Sequence, residues 1–242
     1  MVIDFNFNDE KLNVLWKEYQ NKRNLGLKKD SNSLLNQFIN QLKDKYINEE
    51  FVRFILGKVY DENVEFDLQY PLLKHIIFPV LVNDYKEKRM PGIRWLCQIP
   101  YIDEECNLKI DELVGSEELH ETILLLALKV DNNDIISQQL LLHYYVSYLE
   151  FGIHELPQGL LISLDEGFEI VKKIEELIVK YKYDNLLVEL ITNAIYLYER
   201  LFSEWKKYKS QNEIKYFDIW CEMNNFDYCD CRSKIMSIPR IY

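Results

Sequence analysis

Apolar residues recur at helical spacing along most of this chain and alternate over only two short stretches, 1–8 and 61–69. Residues 1–8 alternate, with Ile3, Phe5 and Phe7 on one side, which predicts a short edge strand or an extended arm. From residue 9 to about 24 the period changes. Leu12, Leu15, Trp16 and Tyr19 share a helical face, and Gly26 supplies a stop. Ser31 or Ser33 is placed to cap a second helix whose apolar face is Leu34, Leu35, Phe38, Ile39, Leu42 and Tyr46. Asn48, Glu49 and Glu50 form a cap and acidic first turn for 51–60. Residues 61–69 read as loop or short strand. Pro71 suits the first turn of a helix to about residue 85, which Pro79 should kink or end. Met90-Pro91-Gly92 signals a turn, and 93–99 is a short apolar segment closed by Pro100.

The most continuous apolar pattern runs from 116 to 162, and the rest of the chain is expected to pack around it. It predicts two helices, 117–130 capped by Ser116 and 134–151, joined by the polar turn Asp131-Asn132-Asn133-Asp134. The second is apolar around most of its circumference, as central helices are. Gly152 and Pro157 end it. Beyond it, Ser163 and Glu166 form a capping-box pattern for a helix to about 181, and Asp184 caps another from 185 to about 209. A last helix is expected at 213–223, with an irregular tail after it. GKVYDEN (57–63) is loosely echoed by LKVDNND (128–134) and VKYKYDN (179–185), a hint of stacked helix pairs. The fold expected is therefore all-α: antiparallel helix pairs in one compact domain spanning 1–242. It is repeat-like in places, has at most a minor strand near the N-terminus, and offers 100–115 as a place for a sub-domain division.

At 242 residues and 48% apolar content the chain buries enough surface to be stable without disulfides or metal. Five cysteines without a framework spacing fit reduced thiols. No apolar run approaches the roughly 18–20 residues of a membrane span, and the N-terminus lacks the pattern of a secretory leader. A cytoplasmic protein is expected. Charge alters this picture more than composition does. The whole chain carries −11, yet residues 101–200 alone carry 7 basic and 20 acidic side chains, a net −13. Such a stretch repels phosphate backbones and steers basic proteins inward, so nucleic acid is not expected on that face.

Candidate chemistry is sparse. There is no glycine-rich phosphate loop, no G-x-S-x-G and no calcium loop, and no cofactor or metal is expected. His120-Glu121 is not a zinc-protease motif, because Leu124 stands where the second histidine belongs. Gln139, His143, Ser147 and Glu150 follow one face of the second helix of the hairpin, so His143 and Glu150 are the pair an active site would use. They stand about 10 Å apart along the axis, too far to share a metal without further ligands. Cys221, Cys229 and Cys231 lack the fourth ligand a zinc site wants. Tyr198, Phe202 and Trp205, with lysines beyond them, have the spacing of a core face.

The reading these features favour is a non-enzymatic binding protein that docks a basic protein partner. The carboxylates expected to do so are Asp103, Glu104, Glu105, Asp111, Glu112, Glu117, Glu118 and Glu121. A specific version is a neutraliser of a toxin nuclease, whose cationic groove an acidic protein can occupy. The alternatives are an enzyme using His143 and Glu150, and a helical-repeat scaffold.

Overall fold

The N-terminal arm shows how the first half of the chain is held. In this computed structural model, which describes residues 2–42, 45–116, 118–211 and 215–236, the arm is extended but pairs with no strand. Its backbone polar groups are satisfied by side chains of the first helix, α1 (Glu10–Asn24). The Ile3 carbonyl accepts from Trp16 Nε1 at 2.8 Å and Gln20 Nε2 at 2.9 Å, and Ile3 N–H donates to Gln20 Oε1 at 2.6 Å. Asn13 serves Phe7 in the same way, at 2.7 and 2.8 Å. A buried backbone needs such partners, and here α1 replaces a sheet. Ile3 and Phe7 are thereby sunk into the core, where Phe7 meets Phe38 and Phe51 edge-on or tilted, with ring centroids 5.4 Å apart in each case.

No strand occurs among the described residues, and the molecule is an all-α assembly of helix pairs. Its contacts divide into two compact units, 1–133 and 134–242. The division falls at the polar turn 131–134, and 100–115 lies inside the first unit.

In the first unit, α1 pairs with α2 (Lys28–Gln41) across the turn at Gly26. The second helix starts before the serines expected to cap it. Ser31 is fully buried in its first turn and donates to the Lys28 carbonyl. α3 (Lys45–Leu56) begins ahead of Asn48, carries the exposed Tyr46 and winds directly into a π-helical turn, Gly57–Asp61. A second π turn, Leu73–Ile77, joins α4 (Tyr70–Leu72) to α5 (Phe78–Glu87). Pro79 sits in the first turn of α5, where its missing N–H costs least, so the chain rewinds there without breaking.

α6 (Gly92–Gln98) follows and packs on α5 at very short range. Asp84 of α5 is fully buried, accepts from Arg53 Nη2 at 2.8 Å and lies 2.9 Å from Arg89 Nε. Burial pushes its pKa up, and the two guanidiniums oppose that shift. A Cβ on Gly92 would stand 2.0 Å from Asp84 Oδ2, so only glycine fits.

Most of 100–115, offered by the sequence as a place for a sub-domain division and assigned no helix, is a helix, α7 (Glu104–Val114). Asp103 caps it through Cys106 N–H, Cys106 and Ile110 are buried one turn apart, and Gly115 closes it at φ +66°. The high charge of the stretch hid two buried positions at helical spacing. α8 (Leu119–Val130) begins later than expected. Ser116 does not cap it; its hydroxyl accepts from Glu118 N–H just ahead of the first turn. α8 packs on α6 and α7.

The second unit is built on α9 (Ile135–Gly152), α10 (Leu164–Lys180) and α11 (Asn185–Ser210). Asp134 caps α9, the capping box at Ser163 and Glu166 opens α10, and Asp184 caps α11. α10 packs on both neighbours, and Gly167 lets it approach Phe202, whose ring would lie 2.6 Å from an added Cβ. Tyr198, Phe202 and Trp205 are buried, as a core stripe should be. Two short helices finish the unit, α12 (Phe217–Met223) and α13 (Tyr228–Met236), both packed on α11. Residues 213 and 214 of the expected 213–223 helix lie outside the described residues. α13 occupies a tail read as irregular, because Cys231 and Ile235 are buried one turn apart.

Candidate functional site

The acidic segment is ordered by α7 and divides into a neutralised end and a bare face. At its N-terminal end Lys74, from the second π turn, reaches Asp103 at 2.6 Å and Glu105 at 3.1 Å. Tyr70 O–H donates to Asp103 at 2.7 Å, and Lys109 pairs with Glu105 at 2.6 Å one turn along. The Lys74 ammonium, the Cys106 N–H and the Tyr70 hydroxyl hold the Asp103 carboxyl far below the usual carboxylate range. Lys109 and then Lys74 lower Glu105 in turn, and Asp103 followed by Glu105 holds Lys74 above its ordinary value. These two carboxylates are half of an ion cluster rather than an open attractor.

Along the outer face the situation is reversed. Glu104, Asp111 and Glu112 are exposed and form no ion pair among the described residues. With helical spacing, Glu104 and Leu108 are stacked and Asp111 and Glu112 come one turn further on. Leu108 is 61% exposed, and Tyr101, just ahead of the Asp103 cap, is 66% exposed. Of the remaining carboxylates Glu118 is exposed at the start of α8, Glu121 is buried, and Glu117 lies outside the described residues. The eight residues expected to act together are therefore of three kinds. Three face solvent on α7, two are neutralised, and of the others the described ones, Glu118 and Glu121, belong to the α8 entrance.

Between the end of α6, the 99–102 connection, one face of α7 and the first turns of α8 lies a cavity of about 250 Å3. Its wall is aliphatic, drawn from Leu96, Ile99, Ile102, Ile110, Leu119 and Ile123. Asn107, Asp111, Tyr101 and His120 supply its polar lining. The Cys97 thiol also lines it, but burial pushes that thiol up to about 12 and its S–H points at the His120 carbonyl, 3.7 Å away. A thiol held protonated in this way is no nucleophile at neutral pH.

The second candidate pair lies on α9. His143 and Glu150 are both half-buried, and the structure does not bring them together. Nε2 of His143 lies 3.5 Å from Ser147 Oγ. Glu150 adds a small upward push to the Tyr198 phenol, which burial has already raised strongly. Among the described residues no three His, Cys, Asp or Glu side chains stand together as a metal-binding group, and no helix is long and apolar enough to cross a membrane. All five cysteines are free thiols.

Sequence reasoning missed two sets of residues: the neutralisers Tyr70 and Lys74, and the exposed apolar pair Tyr101 and Leu108. The first set lies about 30 residues from the carboxylates it binds, beyond the reach of any local pattern. The second had a signal, since Leu108 breaks the apolar face of Cys106 and Ile110. No family model, no curated protein and no solved structure matches this chain.

Proposed function

We propose that this protein is a binding protein that docks a basic protein partner on the outer face of α7. One observation carries the reading: Glu104, Asp111 and Glu112 stand exposed and unpaired beside exposed Tyr101 and Leu108. Bare carboxylates speed encounter with a cationic surface and set its register, while aromatic and aliphatic groups beside them supply the contact that holds it. Residues 103–121 carry eight acidic side chains and one lysine, a net −7, against −6 for the whole of residues 1–133. The remainder of that unit is thus close to neutral, and its attraction for cations comes from this one segment.

Neutralisation of a toxin nuclease is the specific form of this reading, because the groove of such an enzyme is built to hold phosphates and accepts carboxylates in their place. The test is affinity capture of the partner from the native host, followed by titration of purified components at two salt concentrations. The triple variant Glu104→Lys, Asp111→Lys, Glu112→Lys should weaken binding at low salt by at least about tenfold and leave helical content unchanged. If the partner is a nuclease, the wild-type chain should suppress cleavage and the variant should not. Affinity that is the same at low and high salt would remove the acidic face from the mechanism.

A further inference from the structure

We infer that the cavity beside α7 is a socket for one apolar anchor side chain, aliphatic or aromatic, on the basic partner, with a lysine or arginine next to it in the partner's chain. The inference rests on the binding reading above and adds the chemistry of the contact. Three observations support it.

The first is size. The cavity measures about 250 Å3. It is below the roughly 300–1,000 Å3 typical of small-molecule and cofactor sites, and it suits a single large side chain.

The second is wall chemistry. Isoleucines and leucines from three helices and a connection line it, and no lysine or arginine does. Its one thiol is held protonated. The aliphatic part of this wall favours a hydrocarbon, and beside it the polar lining of Tyr101, Asn107, Asp111 and His120 holds no lysine or arginine for a phosphate.

The third is the charge at the mouth. Asp111 contributes to the lining, and Glu112 and Glu104 continue along the adjoining face of α7 without ion-pair partners. A segment that drops an apolar residue into the socket must lay its neighbours along those carboxylates and across Tyr101 and Leu108. Basic neighbours complement them; acidic ones are repelled. Binding hot spots have this form, a buried anchor in a pocket with a charged rim around it.

The experiment uses the full chain labelled at isoleucine δ1 methyls, since Ile99, Ile102, Ile110 and Ile123 report from the cavity wall. Three short blocked peptides serve as probes: Lys-Lys-Phe-Lys-Lys, Lys-Lys-Gly-Lys-Lys and Glu-Glu-Phe-Glu-Glu. The first should move all four wall methyls in a saturable way. The glycine peptide should bind roughly ten- to hundredfold more weakly, the factor that burying one aromatic side chain supplies. The acidic peptide should not bind. Asn107→Trp, which plugs the mouth from its polar side, should abolish the methyl shifts, and Asp111→Asn should weaken them without unfolding the chain.

Equal binding of the phenylalanine and glycine peptides would overturn the socket while leaving the acidic face in place. Equal binding of the basic and acidic phenylalanine peptides would make this a plain apolar site and overturn the charged-neighbour half of the proposal. Methyl shifts that grow with protein concentration alone would assign the socket to a second copy of the chain. Silence from every peptide at millimolar concentration would overturn the socket, and failure of the triple charge variant to affect the captured partner would separately overturn the acidic-face reading.

Discussion

At Gly92 a methyl group would stand 2.0 Å from the Asp84 carboxylate and 2.5 Å from its Cβ. Alanine normally improves a helix interior by about 0.5–1 kcal/mol over glycine. Here Gly92→Ala should instead cost about 2–3 kcal/mol through overpacking, read as a fall in the urea midpoint with the slope unchanged. Asp103 offers a second test at this scale, through its pH dependence. Its folded pKa lies below its unfolded one, so its contribution is complete above the ordinary carboxylate value of about 3.9 and fades as pH falls through the lowered folded value. Lys74 is raised, so its contribution holds below its ordinary value of about 10.4 and fades only as pH climbs through the raised one. Asp103→Asn keeps a capping side chain but removes the charge. The gap in stability between wild type and variant should therefore be steady from about pH 5 to 9 and close in strong acid. A gap as wide at pH 2 as at pH 7 would show that the charge is not its source.

Among the elements, the N-terminal arm carries more of the core than its irregular backbone suggests. Phe7 is 3% exposed and touches Phe5, Phe38 and Phe51. Phe7→Ala should cost about 3–5 kcal/mol and alter the emission of Trp16, whose indole bonds the arm at Ile3. Ser163→Ala removes one half of the capping box of α10 and should cost about 1 kcal/mol by the same measurement. Helices of this second kind were legible in the chain, because Ser163 and Asp184 each announce a start and the apolar period does the rest. α7 was not legible, because its surface charge outnumbers the two buried residues that fix it. Nor was the π turn before Pro79, since a proline in an apolar run is read as a stop, and rewinding depends on neighbours that hold both ends. In the candidate site the carboxylates were plain and their fates were not. Whether Asp103 or Asp111 stays bare depends on where Lys74 arrives, and that is a tertiary fact.

For the molecule as a whole, charge looks different once the two units are known. By sequence the deficit concentrates in the middle hundred residues, but 1–133 carries −6 and 134–242 carries −5. Along the chain the acidic middle is divided between two units, each of which is mildly acidic. The buried aromatic and aliphatic cluster that begins at Ile3 closes by Ala127, entirely within the first unit. Residues 1–133 expressed alone should accordingly show a helical circular dichroism spectrum, unfold cooperatively and retain affinity for the partner. Loss of that affinity in a folded 1–133 fragment would place the docking surface elsewhere.

The arm also has a consequence for how the protein is made. Phe5 and Phe7 leave the ribosome long before Phe51, against which both rings finally rest. At about 5–20 residues per second the interval is roughly two to nine seconds, during which the arm has no home. Asp4, Asn6 and Asn8 alternate with the apolar positions through that wait, interrupting a stretch that would otherwise pair readily with another nascent strand. The polar half of the arm makes little of the finished core, and replacing Asp4, Asn6 and Asn8 with valine should raise the aggregated fraction of newly made chain.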